Sequence, residues 1–173
     1  MTDLPEDAVD AERIERRVVQ QLERLDADFD VVRIDPAFAR TADFCQRYGY
    51  APEISVNCIV VVTKSAEPRH AACLVQATRR LDVNGTVRRL LGVRKASFAP
   101  AEQTVALTGM LPDGVTPFGL PPELPIYVDA PVTALERIIL GGGSRGLKLL
   151  VPPAAVLSLP GASAIEGLSF APG

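Results

Sequence analysis

The sequence lacks tryptophan, and aromatic residues make up only 5% of its 173 residues. Because 47% of the residues are hydrophobic, the core must be built chiefly from aliphatic side chains. No apolar run reaches the roughly 18–20 residues that a membrane-spanning helix needs. The acidic N-terminus also lacks the basic start and the apolar stretch of a signal peptide. Together with the length, these absences predict a single soluble domain over residues 1–173, located in the cytoplasm and without a membrane partner.

Histidine and paired cysteines are scarce, which excludes several kinds of catalytic site. With His70 as the single histidine, a multi-histidine metal site is impossible. A Ser-His-Asp triad would depend on that residue, and the G-x-S-x-G spacing around Ser144 precedes a strand and not the helix that a nucleophile elbow requires. Cys45, Cys58 and Cys73 stand alone, without the C-x-x-C spacing of a zinc site. We therefore expect no metal and no cofactor, and we interpret His70 as a strand-end residue in preference to a general base.

Positive charge does not dominate the chain, whose formal net charge is −3 and whose isoelectric point is near 5.2. A protein that holds nucleic acid by itself is usually basic, because neutralising phosphates supplies most of the affinity. We therefore expect no DNA partner and only weak intrinsic affinity for RNA. Three basic pairs, Arg79-Arg80, Arg88-Arg89 and Arg94-Lys95, are interpreted chiefly as solvated surface, with a weak groove for a phosphate backbone as the alternative.

Hydrophobic periodicity predicts helices and strands that alternate irregularly along the chain. The strongest strand signal is NCIVVVT, whose consecutive apolar, mostly β-branched residues predict a central strand buried on both faces. One short helix is expected to begin with Thr41 as its N-cap and to end at Gly49. The order of elements favours an α+β domain with a mixed, largely antiparallel sheet. Predicted helices cover residues 10–25, 41–48, 84–91, 100–108 and 152–159, predicted strands cover residues 28–35, 57–63, 70–77, 126–129, 137–140 and 147–151, and the tail from residue 161 is predicted to be irregular.

The segment PDGVTPFGLPP, at Pro112–Pro122, holds two glycines and four prolines in eleven residues. Proline fixes φ, and glycine lets another backbone or a ligand approach closely, so this segment is predicted to be a rigid wall of a site. The segment GGGSRG, at Gly141–Gly146, is not a nucleotide P-loop, because it lacks the Gly-Lys-Ser/Thr ending and precedes a strand. Asn57, at the start of an apolar strand, fits either a local backbone hydrogen bond or a role in a site.

Four segments in this order resemble the YbaK family of aminoacyl-tRNA deacylases: RRLDVNGTVRRLLG, AEQTVALTG, GVTPFGLPPELPIYVD and GGGSRGLKLLVPPAAVLSLPGA. The resemblance runs from about residue 22 to residue 162. It implies a mixed α/β pseudo-barrel with flanking helices that hydrolyses the ester of a mischarged aminoacyl-tRNA in trans. The implied substrates are alanyl- or cysteinyl-tRNA for proline. The implied partners are the tRNA acceptor end and an aminoacyl-tRNA synthetase.

The resemblance also assigns site residues. The family's Gly-x-x-Pro loop falls on Gly114-Val115-Thr116-Pro117. There its backbone N–H groups face the substrate carbonyl, and water or a hydroxyl of the substrate's own ribose attacks. Pre-aimed backbone donors can stabilise an oxyanion without a histidine. Gly114 is therefore expected to be catalytic. Substrate contacts are expected from the rest of the loop and from the IYVD and GGGSRG segments, at Val115, Thr116, Pro117, Phe118, Asp129 and Gly141.

The chain departs from the family pattern at three places. Asn57 stands where the family usually has lysine, Lys148 stands where it often has an acidic residue, and Asp113-Gly114 replaces a common pair of glycines. Two compensations follow as hypotheses: Lys148 supplies an ammonium from a neighbouring strand, or Asn57 orients the substrate as a neutral donor. The alternative is that Lys148 is a solvated strand residue without a role in the site. A Lys148 amine more than about 8 Å from the Gly114 backbone would exclude its role as the replacement ammonium, since ion-pair contact needs roughly 4 Å.

Two other functions remain open from the sequence. The first is a degenerate module that binds tRNA or a synthetase without hydrolysis, which the loss of lysine at position 57 favours. The second is a small-molecule hydrolase or carrier that uses the same pocket. Turnover of a mischarged tRNA separates the deacylase from both.

Overall fold

The computed structural model describes residues 6–111 and 113–173. Its helices are α1 (Glu6–Arg24), α2 (Thr41–Tyr48), α3 (Arg88–Leu91), α4 (Ala101–Thr108), α5 (Ala130–Thr133) and α6 (Pro153–Leu157). Its strands are β1 (Asp30–Arg33), β2 (Val56–Thr63), β3 (His70–Gln76), β4 (Arg80–Leu81), β5 (Ala96–Phe98), β6 (Ile126–Asp129), β7 (Ile138–Gly141), β8 (Leu147–Val151), β9 (Ala162–Ile165) and β10 (Ser169–Phe170). Short 3-10 turns lie at Pro36–Phe38 and Pro52–Ile54, and a π-helical turn lies at Val83–Val87.

The largest sheet has five strands in the order β5-β2-β3-β6-β9. β2 runs antiparallel to both β3 and β5, whereas β6 runs parallel to β3 and to β9. A second sheet has the antiparallel order β1-β8-β7, and β4 pairs with β10. The predicted α+β class with a mixed, largely antiparallel sheet is confirmed.

The two larger sheets meet along β2 without closing on each other. An isolated parallel bridge joins Ser55, just before β2, to Ile139 of β7. On the same side of β2, β5 pairs only with residues 61–63. The first half of β2 therefore has a bare outer edge between the end of β5 and this bridge. Within the described residues the predicted pseudo-barrel is open rather than closed.

Helix α1 packs on the main core through the stripe that its periodicity predicts. Ile14, Val18 and Leu22, each four residues apart, are buried there. The core is chiefly aliphatic, as the composition predicts, and Phe44 and Phe118 are the buried aromatic side chains among the described residues. The helix begins and ends slightly earlier than predicted, at Glu6 and Arg24.

The tail beyond residue 160 is not irregular, so that prediction is wrong. Ala162–Ile165 form a strand parallel to β6, and Ser169–Phe170 pair with β4. The Ser169 hydroxyl donates to the buried carboxylate of Asp129, and Arg79 Nε donates to the same hydroxyl oxygen at 2.7 Å. Because β9 is a short edge strand with two exposed central side chains, its sequence carries no strand pattern. Backbone bonds to β6 decide its structure.

The region predicted as one helix over residues 84–91 has two parts. The first is the π-helical turn at Val83–Val87, and the second is α3, which ends at Gly92 with φ of 66°. The Asp82 carboxylate accepts hydrogen bonds from the backbone N–H groups of Thr86 and Gly85, and these bonds lower the pKa of Asp82. The Val87 N–H donates to the Asp82 carbonyl at 3.1 Å, five residues earlier, so this turn is wider than an α-helical turn, which helical periodicity does not reveal.

Ser169→Ala is expected to destabilise the fold by about 1–3 kcal/mol, because it removes a hydrogen bond from a buried carboxylate and leaves that oxygen less satisfied. Urea unfolding measures the change. Ser163→Ala, on the exposed face of β9, is the matched control and should leave the midpoint unchanged. Equal midpoints for both variants would contradict a stabilising role for the Ser169–Asp129 contact.

Candidate active-site cleft

A cleft of about 810 Å³ opens beside the bare edge of β2. Its walls come from α2, from β2, from the loop at residues 113–122 (the Pro/Gly loop) and from the β7–β8 hairpin. Of the predicted site residues, Asn57, Val115, Gly141 and Lys148 line this one cleft. The lining also includes Arg40, Thr41, Cys45, Gln46, Cys58, Ile59 and Asp113.

The Pro/Gly loop packs backbone to backbone against the glycine-rich hairpin turn at Gly141–Gly146. A Cβ atom on Gly114 would lie 2.6 Å from the carbonyl oxygen of Ser144, and one on Gly141 would lie 2.7 Å from the carbonyl oxygen of Val115. The Gly143 N–H donates to the Gly114 carbonyl at 2.7 Å. The close approach predicted for Gly114 is therefore an approach between two loops. Pro112, the first residue of the predicted wall, lies outside the described residues.

The backbone N–H groups of the Pro/Gly loop differ in what they already bind. The Gly114 N–H donates to the Leu111 carbonyl at 3.0 Å, so it is engaged within the loop. The Thr116 N–H faces the Met110 sulfur at 3.5 Å. Among the residues that the structure describes, no carbonyl accepts the Val115 N–H, and Val115 lines the cleft. Of these three residues, Val115 is the one that lines the cleft, so its N–H is the candidate donor to a ligand.

Lys148 enters the cleft from β8 with a side chain that is only 6% exposed. Its ammonium donates to the Ala39 carbonyl at 3.0 Å and lies 5.3 Å from the centre of the Phe44 ring. Desolvation by burial lowers the pKa of Lys148, and the negative charge of Asp113 opposes this shift. The alternative of a solvated strand lysine does not fit a side chain this deeply buried.

The Lys148 ammonium lies next to the Gly114 loop. Its nitrogen is 3.5 Å from the carbonyl oxygen of Asp113, which belongs to the peptide bond that precedes Gly114. Standard peptide dimensions then place it less than about 6 Å from the Gly114 nitrogen. This distance is within the 8 Å limit set for the compensation by Lys148.

Asn57 joins β2 to α2 across the inner end of the cleft. Its side-chain oxygen accepts a hydrogen bond from the Thr41 hydroxyl at 2.7 Å. Thr41 is therefore not the N-cap that the sequence predicts: α2 begins after Arg40, which makes no side-chain cap bond. The predicted end of α2 at Gly49 is confirmed, with φ of 77°. Asn57 thus forms a hydrogen bond with a side chain of α2. Neither a bond to local backbone nor a direct role in the site, the two interpretations from the sequence, anticipates this contact.

Within the described residues, the other predicted substrate contacts are not part of the cleft lining. Thr116 and Pro117 are buried, and Phe118 lies in the main core. Asp129, at the end of β6, is engaged by Ser169 and lies 3.9 Å from Arg79. The substrate-binding roles assigned to these residues by resemblance remain predictions.

Several cleft and support residues were not found from the sequence. Cys45 lines the cleft, and its sulfur lies 3.1 Å from the Ser55 hydroxyl. From α1, Glu15 accepts a hydrogen bond from Ser144, and Gln21 accepts one from the Gly119 N–H. These polar residues of an amphipathic helix look like solvent-facing positions in a sequence. Only the arrangement of the loops shows that they hold the cleft wall.

His70 begins β3, as predicted, and borders a separate hollow of about 330 Å³. In residues 6–111 and 113–173, no three histidine, cysteine, aspartate or glutamate side chains come close enough together to hold a metal ion. The same residues include no helix that is both long and apolar enough to cross a membrane.

Comparison with known proteins decides the family. The model of the aminoacyl-tRNA editing domain matches residues 35–159, which include α2, β2, the Pro/Gly loop and Lys148. The chain belongs to this family. The resemblance drawn from the sequence segments is thereby confirmed.

Individual relatives agree with the family. A candidate Cys-tRNA(Pro)/Cys-tRNA(Cys) deacylase, EbsC of Enterococcus faecalis, is 24% identical over 57% of this chain and 60% of its own length. The crystal structure of a candidate trans-editing enzyme for prolyl-tRNA synthetase has a TM-score of 0.77 and 25% identity, over 92% of this chain and 98% of that chain. A hypothetical protein with 21% identity has a TM-score of 0.79 over 89% of this chain and 99% of that chain, and shows the shared fold. The name of the family, an aminoacyl-tRNA editing domain, and the deacylase name given to EbsC agree with the enzyme class that the sequence predicts, a hydrolase of ester bonds.

Gly114→Ala is expected to destabilise the fold by about 1–3 kcal/mol, because its Cβ would meet the Ser144 backbone and force the two loops apart. Denaturant unfolding measures the loss. Gly146→Ala is the matched control within the same pair of loops, since a Cβ there has its nearest neighbour at 3.7 Å. A Gly114→Ala protein as stable as the control would show that the loops are not tightly packed.

Proposed function

We propose that this chain hydrolyses, in trans, the ester bond of a mischarged aminoacyl-tRNA, with alanine or cysteine on the proline tRNA as the substrates. The observation that carries the proposal is one cleft in which the Lys148 ammonium lies beside the backbone of the family's Gly-x-x-Pro loop. The names of the relatives, one a Cys-tRNA(Pro) deacylase candidate and one a trans-editing candidate for prolyl-tRNA synthetase, support the same substrate class.

The cleft stabilises negative charge on the ester carbonyl. As a nucleophile attacks the carbonyl carbon, the C=O oxygen becomes an oxyanion, and donors already fixed in place lower the free energy of that state. Among the donors at the lining, we assign this role to the Val115 N–H and to the Lys148 ammonium, which lies beside the Pro/Gly loop. Gly114 contributes by shaping the loop, since its own N–H is bound to Leu111.

The attack needs no protein nucleophile. The oxygen of water forms the new bond to the carbonyl carbon and gives up its proton, because attack by the neighbouring ribose hydroxyl would only move the ester to that hydroxyl and release no amino acid. The bond from that carbon to the ribose ester oxygen then breaks, and the oxygen takes a proton and leaves as a free hydroxyl on the tRNA. The Asn57 amide lies in the lining, where it can orient the attacking group or the substrate. Thr41 holds the orientation of this amide.

The acidic chain suggests how the tRNA arrives. With a formal net charge of −3, intrinsic affinity for RNA is expected to be weak. We therefore expect the acceptor end of the tRNA as the direct partner and an aminoacyl-tRNA synthetase as the protein that delivers it.

Binding without hydrolysis is the second candidate function, and Asn57 favours it. The amide carries no charge and its oxygen is already engaged by Thr41, so it cannot replace the electrostatic effect of a lysine at this position. If the chain binds tRNA but is inactive, Asn57→Lys should create deacylation that the natural chain lacks.

Deacylation of mischarged tRNA tests the proposed function. The chain is expected to release alanine or cysteine from alanyl- or cysteinyl-tRNA for proline faster than the spontaneous reaction, because two donors await the oxyanion. Loss of radiolabelled amino acid from the tRNA measures the rate. A rate no higher than background across a panel of small amino acids would end the proposal.

The pH dependence of activity tests the role of Lys148. Because burial lowers the pKa of this lysine, its charge is lost at a lower pH than for an ordinary lysine, whose pKa is about 10.4. After spontaneous hydrolysis is subtracted, kcat/KM is expected to fall as pH rises through that lowered pKa.

Lys148→Arg should move this fall to higher pH, because a guanidinium stays charged. Lys148→Met should lower kcat by roughly 100- to 1,000-fold, the loss typical of one oxyanion donor. A Lys148→Met enzyme with the natural rate and pH profile would remove Lys148 from the mechanism.

A further inference from the structure

Phe98 is the most exposed large hydrophobic side chain among the described residues, at 58%. It lies on β5, a three-residue strand at the edge of the five-stranded sheet. An aromatic ring that is exposed on a sheet edge contributes little to the stability of the fold. Exposed apolar surface next to a cleft often marks a binding site. Its position relative to the cleft therefore matters.

Phe98 does not itself line the cleft, but the strand register places it one diagonal step from a residue that does. Phe98 lies directly opposite Val61 of β2. Ile59, two residues closer to the start of β2, projects from the same face of the sheet and lines the cleft. Diagonal neighbours of this kind have Cα atoms roughly 7–8 Å apart, which is within reach of an aromatic ring. Ile59 and Phe98 thus form an apolar strip that leads out of the cleft.

The backbone of β2 is also open along this strip. The Ala99 N–H donates to the Val60 carbonyl, so Val60 directs its backbone groups towards β5. Residues two apart on a strand direct these groups to the same side, which gives Cys58 the same direction. The chain has already left the sheet there, because Pro100 precedes α4. The N–H and C=O of Cys58 therefore face the cleft, where they can exchange hydrogen bonds with the edge of a base.

Positive charge lies beyond the strip, where the alternation along β2 and β5 directs the Lys64 and Lys95 side chains to the opposite face of the sheet from Phe98. The Lys64 N–H donates to the Lys95 carbonyl, which holds these two residues side by side beyond the paired part of β2 and β5. The side chains of Lys64, Arg94 and Lys95 are all exposed. Apolar surface beside a sheet edge that carries cations suits a nucleotide base whose neighbouring phosphates cross that edge.

We propose that Phe98 is the platform on which the 3′-terminal adenine of the tRNA stacks while the aminoacyl ester lies in the cleft. The inference rests on the proposed function for its choice of ligand. The phosphates of the preceding nucleotides then face Lys64, Arg94 and Lys95. Aromatic stacking is sequence-tolerant, so this contact supplies affinity and position, and the cleft supplies the chemistry.

The absence of tryptophan provides a direct test by binding. Phe98→Trp places a single fluorescent ring at the proposed platform and keeps its ability to stack. Titration with the trinucleotide CCA is expected to quench this fluorescence to saturation. Phe170→Trp is the matched control, since Phe170 is 48% exposed on β10, which pairs with β4 and not with the cleft strand β2. An unchanged Phe98→Trp signal at millimolar CCA, or equal quenching in both variants, would overturn the proposal.

Kinetics separate the platform from the reaction. Phe98→Ala is expected to raise KM for mischarged tRNA roughly tenfold or more and to leave kcat unchanged. Phe98→Tyr should keep the natural KM, because a tyrosine ring can still stack. Phe170→Ala should have the KM and kcat of the natural chain. A natural KM for Phe98→Ala would contradict the platform even if deacylation is rapid. If the natural chain deacylates nothing, the proposed function fails, and quenching by CCA alone then decides whether Phe98 binds the nucleotide.

Discussion

The backbone hydrogen bond from Gly143 to Gly114 holds together the two loops on which the cleft depends. Neither loop could approach the other this closely with a side chain at Gly114 or Gly141. The contact carries the Asp113 carbonyl to Lys148 and turns Val115 into the cleft. A single pair of glycine-rich loops therefore fixes both the ammonium and the backbone donor of the proposed oxyanion site.

Helix α1 secures this contact from outside the part of the chain that matches the family. The match begins at residue 35, after α1 has ended. Ile14 packs so closely on Gly143 that a Cβ there would lie 2.5 Å from its side chain. Glu15 holds Ser144 and Gln21 holds Gly119, one contact for each loop. A segment without any proposed catalytic residue thus determines the position of the loops.

The resemblance implies an exchange of charge between positions 57 and 148, and burying the lysine at position 148 has a physical cost. Removing an ammonium from water is unfavourable unless it gains hydrogen bonds or other favourable contacts. The Ala39 carbonyl, the Asp113 carbonyl and the face of Phe44 supply such contacts to Lys148. Asn57 needs no counter-charge and is held by one hydroxyl. A cation held this firmly, though partly desolvated, suits a site where negative charge appears only in the transition state.

Patterns with a local cause were predictable from the sequence, and those with a distant cause were not. The β-branched run of β2, the glycine that ends α2 and the aliphatic stripe of α1 each follow from neighbouring residues. The prediction that β2 is buried on both faces is only half correct. Val60 to Thr63 are buried, but Asn57 to Ile59 are half-buried because they line the cleft. β9 depends on pairing with β6, and Lys148 depends on a carbonyl 109 positions away in sequence. Spacing along the chain carries no record of such contacts.

The most direct test is the position of the substrate carbonyl in the cleft. A crystal structure with a 3′-aminoacyl-adenosine analogue measures this position, and an amide link in place of the ester prevents hydrolysis. We expect the carbonyl oxygen within hydrogen-bond distance of the Lys148 ammonium or the Val115 N–H. An analogue bound with its carbonyl turned away from both groups, or bound outside the cleft, would contradict the account.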